Sequence, residues 1–227
     1  MQRAHGLAKH LAAAGVQIIS GGALGIDGAA HRGALAARPA FERAGEPRGA
    51  GTTTVVLGSG IDVLYPERHA MLFEQIVASG GALVSQLPPG TAPRAGTFVQ
   101  RNPLIAALAD VVIVVEAEVR SGSLSTARAG RQLGRIVAAW PGSRGCDRLL
   151  ASGAAVIESD VDAALALAGS PRFPEAPVLD PVASQLRDAI AQGIHGVDAL
   201  VRHTGLSVRA VLRALPVLEG SSSKRYS

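Results

Sequence analysis

The residues with the most chemical potential lie between Val111 and Arg135, in the run VVIVVEAEVRSGSLSTARAGRQLGR. Val111 to Val115 is β-branched without alternation, the pattern of a strand buried on both faces of a parallel sheet. Ser121, Gly122 and Ser123, with Thr126 just beyond, turn the chain into a helix. The first turn of such a helix leaves backbone N–H groups without intrahelical partners, so it favours an anion, and phosphate is the obvious candidate. Arg128, Arg131 and Arg135 follow at i, i+3 and i+7, along one side of that helix. Singly, each arginine reads as solvated charge on a crossover helix; three beside a Gly/Ser turn point to phosphate contact.

Two further stretches carry related chemistry. Ser20 to Gly25, SGGALG, follows a short apolar run and precedes a helix beginning near Asp27. Its Ser20, Gly21, Gly22 and Gly25 make a small-residue turn that lets backbone amides approach a phosphate, although the spacing is not that of a dinucleotide fingerprint. Asp27 and His31 lie one helical turn apart; two ligands without a third favour a structural pairing over a metal. Leu87 to Asn102, LPPGTAPRAGTFVQRN, is rich in Pro and Gly and is expected to be an irregular loop. It sets Phe98 between Arg94 and Arg101. That is either a base-stacking arrangement, worth about 1–3 kcal/mol per stacked base, or a ring that anchors the loop in the core.

The elements that must position these residues alternate in type. A helix over Arg3–Ala14, stopped by Gly15, precedes strands at Val16–Ile19, Thr52–Leu57, Ala82–Ser85, Val111–Val115, Ile136–Ala139 and Ala154–Ile157. Helices are expected near Asp27, from Pro66 to Gly80, over the arginine stretch, and over Arg144–Ser152. Arg38–Gly51 reads as a surface loop. Residues 169–180 form a linker stiffened by Pro171, Pro174 and Pro177. Val182–Gln192, Val197–His203 and Ser207–Leu215 make three short helices in a helix-turn-helix layout, ahead of a disordered tail at 221–227.

Bulk properties narrow the setting. A chain of 227 residues, 48% hydrophobic, can bury one large core and a small appendage. The single cysteine, Cys146, excludes an internal disulfide, and it has no activating base beside it. No signal peptide or membrane-spanning run is evident, and the expected setting is cytoplasmic, away from membranes. The net charge of +4 divides as +1 over Met1–Pro93, +4 over Arg94–Arg148 and −1 thereafter. Lysines occur only at 9 and 224, so the basic chemistry is that of arginine, suited to phosphate and to stacking on bases. The C-terminal helices balance Arg187, Arg202, Arg209 and Arg213 against Asp180, Asp188, Asp198 and Glu219, which favours packing or protein contact over strong duplex binding.

Six ordered blocks, SGGALGIDGAAHRGAL, VVLGSGIDVLYP, LPPGTAP, FVQRN, EAEVRSGSLSTA and PGSRGCDRLLASGA, resemble the DNA-processing protein A (DprA/Smf) family. The likeness covers Leu7 to about Ile157, and the C-terminal helices resemble that family's winged-helix tail. It implies an α/β fold: an extended Rossmann-like, mostly parallel sheet with helices on both faces over residues 1–168, then a small winged-helix-like domain at 181–220. It also implies single-stranded DNA binding, homodimerisation and delivery of incoming DNA to the RecA recombinase in transformation, with no catalysis and no cofactor. Its DNA-facing positions fall on Ser20–Gly25, Phe98, Arg101, Asn102 and Ser121–Thr126. Val99 and Pro103 depart from the family's usual residues around that Arg-Asn pair, and residues appear inserted between Leu35 and Thr52. The chain opens on what would be the family's first helix, so the family's opening strand is expected to be missing. Unpaired neighbouring strands, with poor solubility or domain exchange, are the expected result unless the sheet closes differently or the true start lies upstream.

Two other functions fit parts of the pattern. A nucleotide phosphoribohydrolase resembling the LOG enzymes would carry a catalytic glutamate after the Ser/Gly turn, where this chain has Arg128, Ala129 and Gly130. A nucleotide-sensing regulator would read duplex DNA with its C-terminal helices, which the neutral charge there disfavours.

Overall fold

The computed structural model describes residues 1–37, 52–174 and 181–222. The expected loop at 38–51, residues 175–180 of the linker and residues 223–227 of the tail lie outside the described residues. Two compact units emerge, one holding Met1–Leu150 and Ala154–Phe173, the other Ala151–Gly153 and the chain from Pro174 onward.

The first unit opens with α1 (Gln2–Ala13), which buries Leu7, Ala8 and Leu11. Its strands form two parallel three-stranded sheets. In the first, β1 (Ile18–Gly21) pairs with β2 (Thr53–Val56), and β2 with β3 (Ala82–Val84). In the second, β4 (Val111–Val114) pairs with β5 (Ile136–Ala139), and β5 with β6 (Ala155–Val156). The expected parallel sheet is thus present as two halves.

The helices are α2 (Ile26–Leu35), α3 (Ala70–Ala78), α4 (Ala95–Leu108), α5 (Ser123–Gln132), α6 (Arg144–Ala151) and α7 (Asp160–Leu167). β4 shows why its sequence lacks alternation. Val112 and Val114 join a core with Ala106, Ala127 and Cys146 from α4, α5 and α6. Val111, Ile113 and Val115 pack instead against a cluster containing Leu7 and Leu11 of α1 and Ala163 and Ala166 of α7. Each fully buried aliphatic side chain of this kind contributes about 1.5–3 kcal/mol.

α4 overturns an expectation. Leu87–Asn102 is not irregular throughout, because residues from Ala95 onward are helical despite Gly96 and Pro103. Thr97 fastens the start: its hydroxyl oxygen accepts the Arg94 N–H at 3.0 Å and donates to the Gly58 carbonyl at 2.6 Å. Pro103 cannot donate to the carbonyl of Val99, four residues back, and both residues are exposed, so water can serve that carbonyl. α7 was also absent from the sequence-based expectation, although Ser159 caps it by accepting the Asp162 N–H. The linker begins later than expected: Arg172 pairs with Asp162 at 2.9 Å and Glu158 at 2.7 Å, and its carbonyl accepts the Val156 N–H.

The second unit contains α8 (Pro181–Ala191), α9 (Val197–Thr204) and α10 (Val208–Ser222). Leu186, Ala189, Leu200, Val211 and Ala214 form its core, and Gly205 closes α9 in the left-handed region at φ 70°. α10 extends through Ser221 and Ser222, which were expected to belong to the tail.

Candidate nucleic-acid interface

In a parallel sheet the loops leaving the carboxyl ends of the strands share one rim. Here two adjacent residues of α4 bring the ends of both halves together. The guanidinium of Arg101 donates to the carbonyl of Val56 at the end of β2 and packs on Gly21 at the end of β1. Asn102, the next residue, donates through Nδ2 to the Gly122 carbonyl at 3.1 Å and to Ser125 Oγ at 2.6 Å, beyond the end of β4. The two halves therefore point the same way.

This arrangement gives Arg101 and Asn102 structural engagements that the sequence did not suggest. They are only 4% and 7% exposed, and the hydrogen bonds they make go to the protein's own backbone and turns. Burial pushes the Arg101 guanidinium below its ordinary pKa, with the charge of Asp27 acting in the opposite direction. Both side chains build the rim from beneath.

The Ser20–Gly25 turn is likewise internally committed. Asp27 accepts the Ser20 hydroxyl at 2.9 Å and the Ala23 N–H at 3.2 Å, so the anion seated in this turn is the protein's own carboxylate. Gly21 and Gly22 turn their carbonyls inward, toward His31 Nε2 at 2.8 Å and His69 Nδ1 at 3.0 Å. The Asp27–His31 pairing expected from the sequence is replaced: His31 lies between Gly21 and Thr53 Oγ1, the latter 2.8 Å from Nδ1. Burial lowers its pKa from 6.5, and the Gly21 hydrogen bond and Asp27 oppose that shift. Gly25 forms the N-cap of α2 at φ 95°.

At the Ser121–Thr126 turn, fewer amides are free than expected. The Ser123 N–H meets Ser121 Oγ at 3.3 Å, the Leu124 N–H meets the Ser121 carbonyl, and the Ser125 N–H meets the Gly122 carbonyl. Gly122 and Ser123 are exposed, and Thr126 is half-buried. The arginine row also departs from expectation, because α5 ends at Gln132 and Gly134 is left-handed at φ 70°. Arg135 therefore leaves the helix and donates to the Ala107 carbonyl at 3.0 Å, while Arg131 donates to the Leu149 carbonyl at 3.3 Å. Arg128 stays exposed on α5.

Arg94 is exposed at the start of α4, and Phe98 follows one turn later. Phe98 lies over Gly58 and stacks at a tilt on Tyr65, with centroids 5.7 Å apart. It is half-buried, so it both anchors the helix and presents ring surface. Tyr65, 46% exposed, was not expected here. Its signal was scarcity, as one of two tyrosines in a chain with 3% aromatics. Arg120, exposed in the loop leaving β4, was also missed; Glu116 and Glu118 share that loop and moderate its charge. Cys146 is buried against the Val114 carbonyl, and burial raises its pKa, as befits a packed thiol. Among the described residues no group of three or more His, Cys, Asp or Glu could hold a metal. No helix there is long and apolar enough to cross a membrane.

Residues 1–168 match the family described as DNA recombination-mediator protein A, and residues 170–219 match the DprA winged helix domain. This chain belongs to the DprA family. A Mycobacterium tuberculosis relative bearing the DprA name is 39% identical over 228 residues, covering 94% of this chain and 55% of that protein. Protein Smf of Escherichia coli is 44% identical over 135 residues, covering 60% of this chain and 33% of its own length. The chain thus spans about half the length of the first, and less of the second. Among solved structures, DprA of Helicobacter pylori aligns with a TM-score of 0.62 and 31% identity over 75% of this chain and 74% of that one. That structure is described as revealing a unique single-stranded DNA binding mode. DprA of Streptococcus pneumoniae aligns with a TM-score of 0.56 and 33% identity over 76% and 56% of the respective chains. The α/β architecture with parallel sheets and a DprA winged-helix domain is therefore that of the family.

Proposed function

We propose that the carboxyl rim of the first unit binds single-stranded DNA and does no chemistry on it. The observation that carries this reading is the exposed Arg94 one helical turn from the Phe98–Tyr65 ring pair. A cation for a phosphate beside an aromatic surface for a base is the minimum equipment for gripping a polynucleotide without reading its sequence. Arg120 and Arg128 supply further charge, and the exposed Gly122–Ser123 turn offers backbone close to the strand. Arg101 and Asn102 act as positioning residues. Ser20–Gly25 contributes its outer surface at Ala23 and Leu24, both exposed.

The single-stranded DNA binding named for the Helicobacter pylori relative supports this reading. On it, the protein works as a homodimeric recombination mediator that protects incoming DNA and hands it to the RecA recombinase, in the cytoplasm and without a cofactor. The test is fluorescence anisotropy of labelled oligo-dT against a duplex of equal length, from about 50 to 200 mM salt. With Arg94, Arg120 and Arg128 each neutralising a phosphate, log K should fall against log[salt] with a slope near −2, at about −0.7 per contact for single strands. A flat salt dependence, or preference for the duplex, would overturn the proposal.

A further inference from the structure

The second unit distributes its charges unevenly. Over residues 181–222 it carries four arginines against three acidic residues, a net charge of +1. Arg187 is paired with its neighbour Asp188 at 2.9 Å. Arg202 lies in the last turn of α9, where the carbonyl end of the helix favours a cation. Arg209 and Arg213 are placed differently. Arg209 is the second residue of α10, in a first turn that holds no acidic residue, so the amino end of the helix disfavours its charge. Arg213 follows one turn later. Both are exposed, and neither has an ion-pair partner among the described residues.

Beside them runs an apolar row. Val208 and Leu212, also at i and i+4, are 49% and 54% exposed, whereas Val211 and Ala214 on the opposite face close the core. Ser207 fixes the start of the helix, its Oγ accepting the Ala210 N–H at 3.2 Å. The outer face therefore presents two parallel rows, one aliphatic and one guanidinium, with the members of each about 5–6 Å apart.

We propose that this face of α10 docks an acidic, amphipathic helix of a partner protein. Rows at i and i+4 are the ridges that interdigitate when two helices pack, so an incoming helix with apolar side chains at that spacing covers Val208 and Leu212. Carboxylates at the same spacing beside them meet Arg209 and Arg213 as planar, two-pronged pairs.

The partner's charge supplies what the start of α10 lacks, since a carboxylate there is favoured by the helix end and by Arg209 together. A duplex fits less well. With a net charge of +1 the unit offers little field for a phosphate backbone, and such a backbone would leave the aliphatic pair in water. A purely apolar partner would bury both guanidinium groups without a counter-charge.

The test uses the full chain and a fluorescein-labelled peptide that repeats Leu-Glu-Ala-Gln over about 16 residues, long enough for a helix to form. Fluorescence anisotropy should show saturable binding that weakens as salt is added. The double variant Arg209→Glu, Arg213→Glu, checked for folding by circular dichroism, should bind at least about tenfold more weakly. A peptide with lysine in place of glutamate should fail to bind the native chain and should bind that double variant. Leu212→Ala should weaken binding several-fold, while Arg187→Gln, whose arginine is engaged by Asp188, should leave it unchanged. Failure to saturate, equal binding of the lysine peptide to the native chain, or indifference to the substitutions on α10 would overturn the proposal. So would a labelled duplex that binds more tightly than the peptide and is lost in the double variant, since α10 would then be a duplex reader. No single-stranded DNA enters these measurements, so their failure leaves the rim's proposed function standing, and the converse holds.

Discussion

Replacing Arg101 with alanine separates a residue that builds the rim from one that grips DNA. The substitution removes a charged hydrogen bond to the Val56 carbonyl, which contributes about 1.5–3 kcal/mol. Loss of the buried aliphatic stem adds about 2 kcal/mol. Removing an Nε that already lacks a partner returns about 1–3 kcal/mol. The net destabilisation is about 2 kcal/mol, equivalent to a fall in Tm of roughly 4–8 °C for a domain of this size. Thermal melting by circular dichroism measures that shift. Oligo-dT titrations well below the melting transition measure the salt dependence, which should keep its wild-type slope because the buried guanidinium neutralises no phosphate. The opposite pair of results would refute the reasoning: an unchanged Tm with a slope shallower by about 0.7, the value of one lost phosphate contact.

Other substitutions probe the same surface and its supports. Arg94→Ala should make the salt slope shallower by about 0.7 while leaving Tm nearly unchanged, since the side chain is exposed; melting and titration of one preparation check both. Tyr65→Ala should weaken oligo-dT binding by about 1–3 kcal/mol if the ring stacks on a base, with little loss in a duplex control measured by anisotropy. Gly33→Ala would drive a methyl group into the backbone carbonyl of His5, where α1 and α2 touch, and should destabilise by about 1–3 kcal/mol in urea unfolding. For His31, the folded pKa is lowered from 6.5, so the unfolded chain binds the proton more readily. Its contribution to stability is complete above pH 6.5 and declines as pH falls from there toward the lowered value. In urea melts across that window, His31→Gln should flatten the fall in stability on acidification; an unchanged pH profile would count against it.

The sequence made the parallel strands legible because burial on both faces leaves a direct mark: Val111–Val115 cannot satisfy α1 and α7 on one side and α4, α5 and α6 on the other with alternating polarity. α4 was hidden because Gly96 and Pro103 carry strong local penalties against helix, and these are overridden by tertiary packing at Ala106 and by the Arg101 and Asn102 anchors. The site was partly legible. Residue types located the rim turns, but not which polar groups those turns had already engaged. Asp27 shows the difficulty, since a carboxylate five residues past a glycine pair and one helical turn before His31 reads as that histidine's partner until its bonds to Ser20 and Ala23 are seen. Tyr65 meets Phe98 from 33 positions away, a distance over which local pattern carries no information.

The tie formed by Arg101 and Asn102 also bears on motion. Successive side chains of α4 grip one half each, so this helix helps to set the spacing of the two halves. A displacement of the Gly122 turn would reach α4 directly through Asn102, and one at the end of β2 through Arg101.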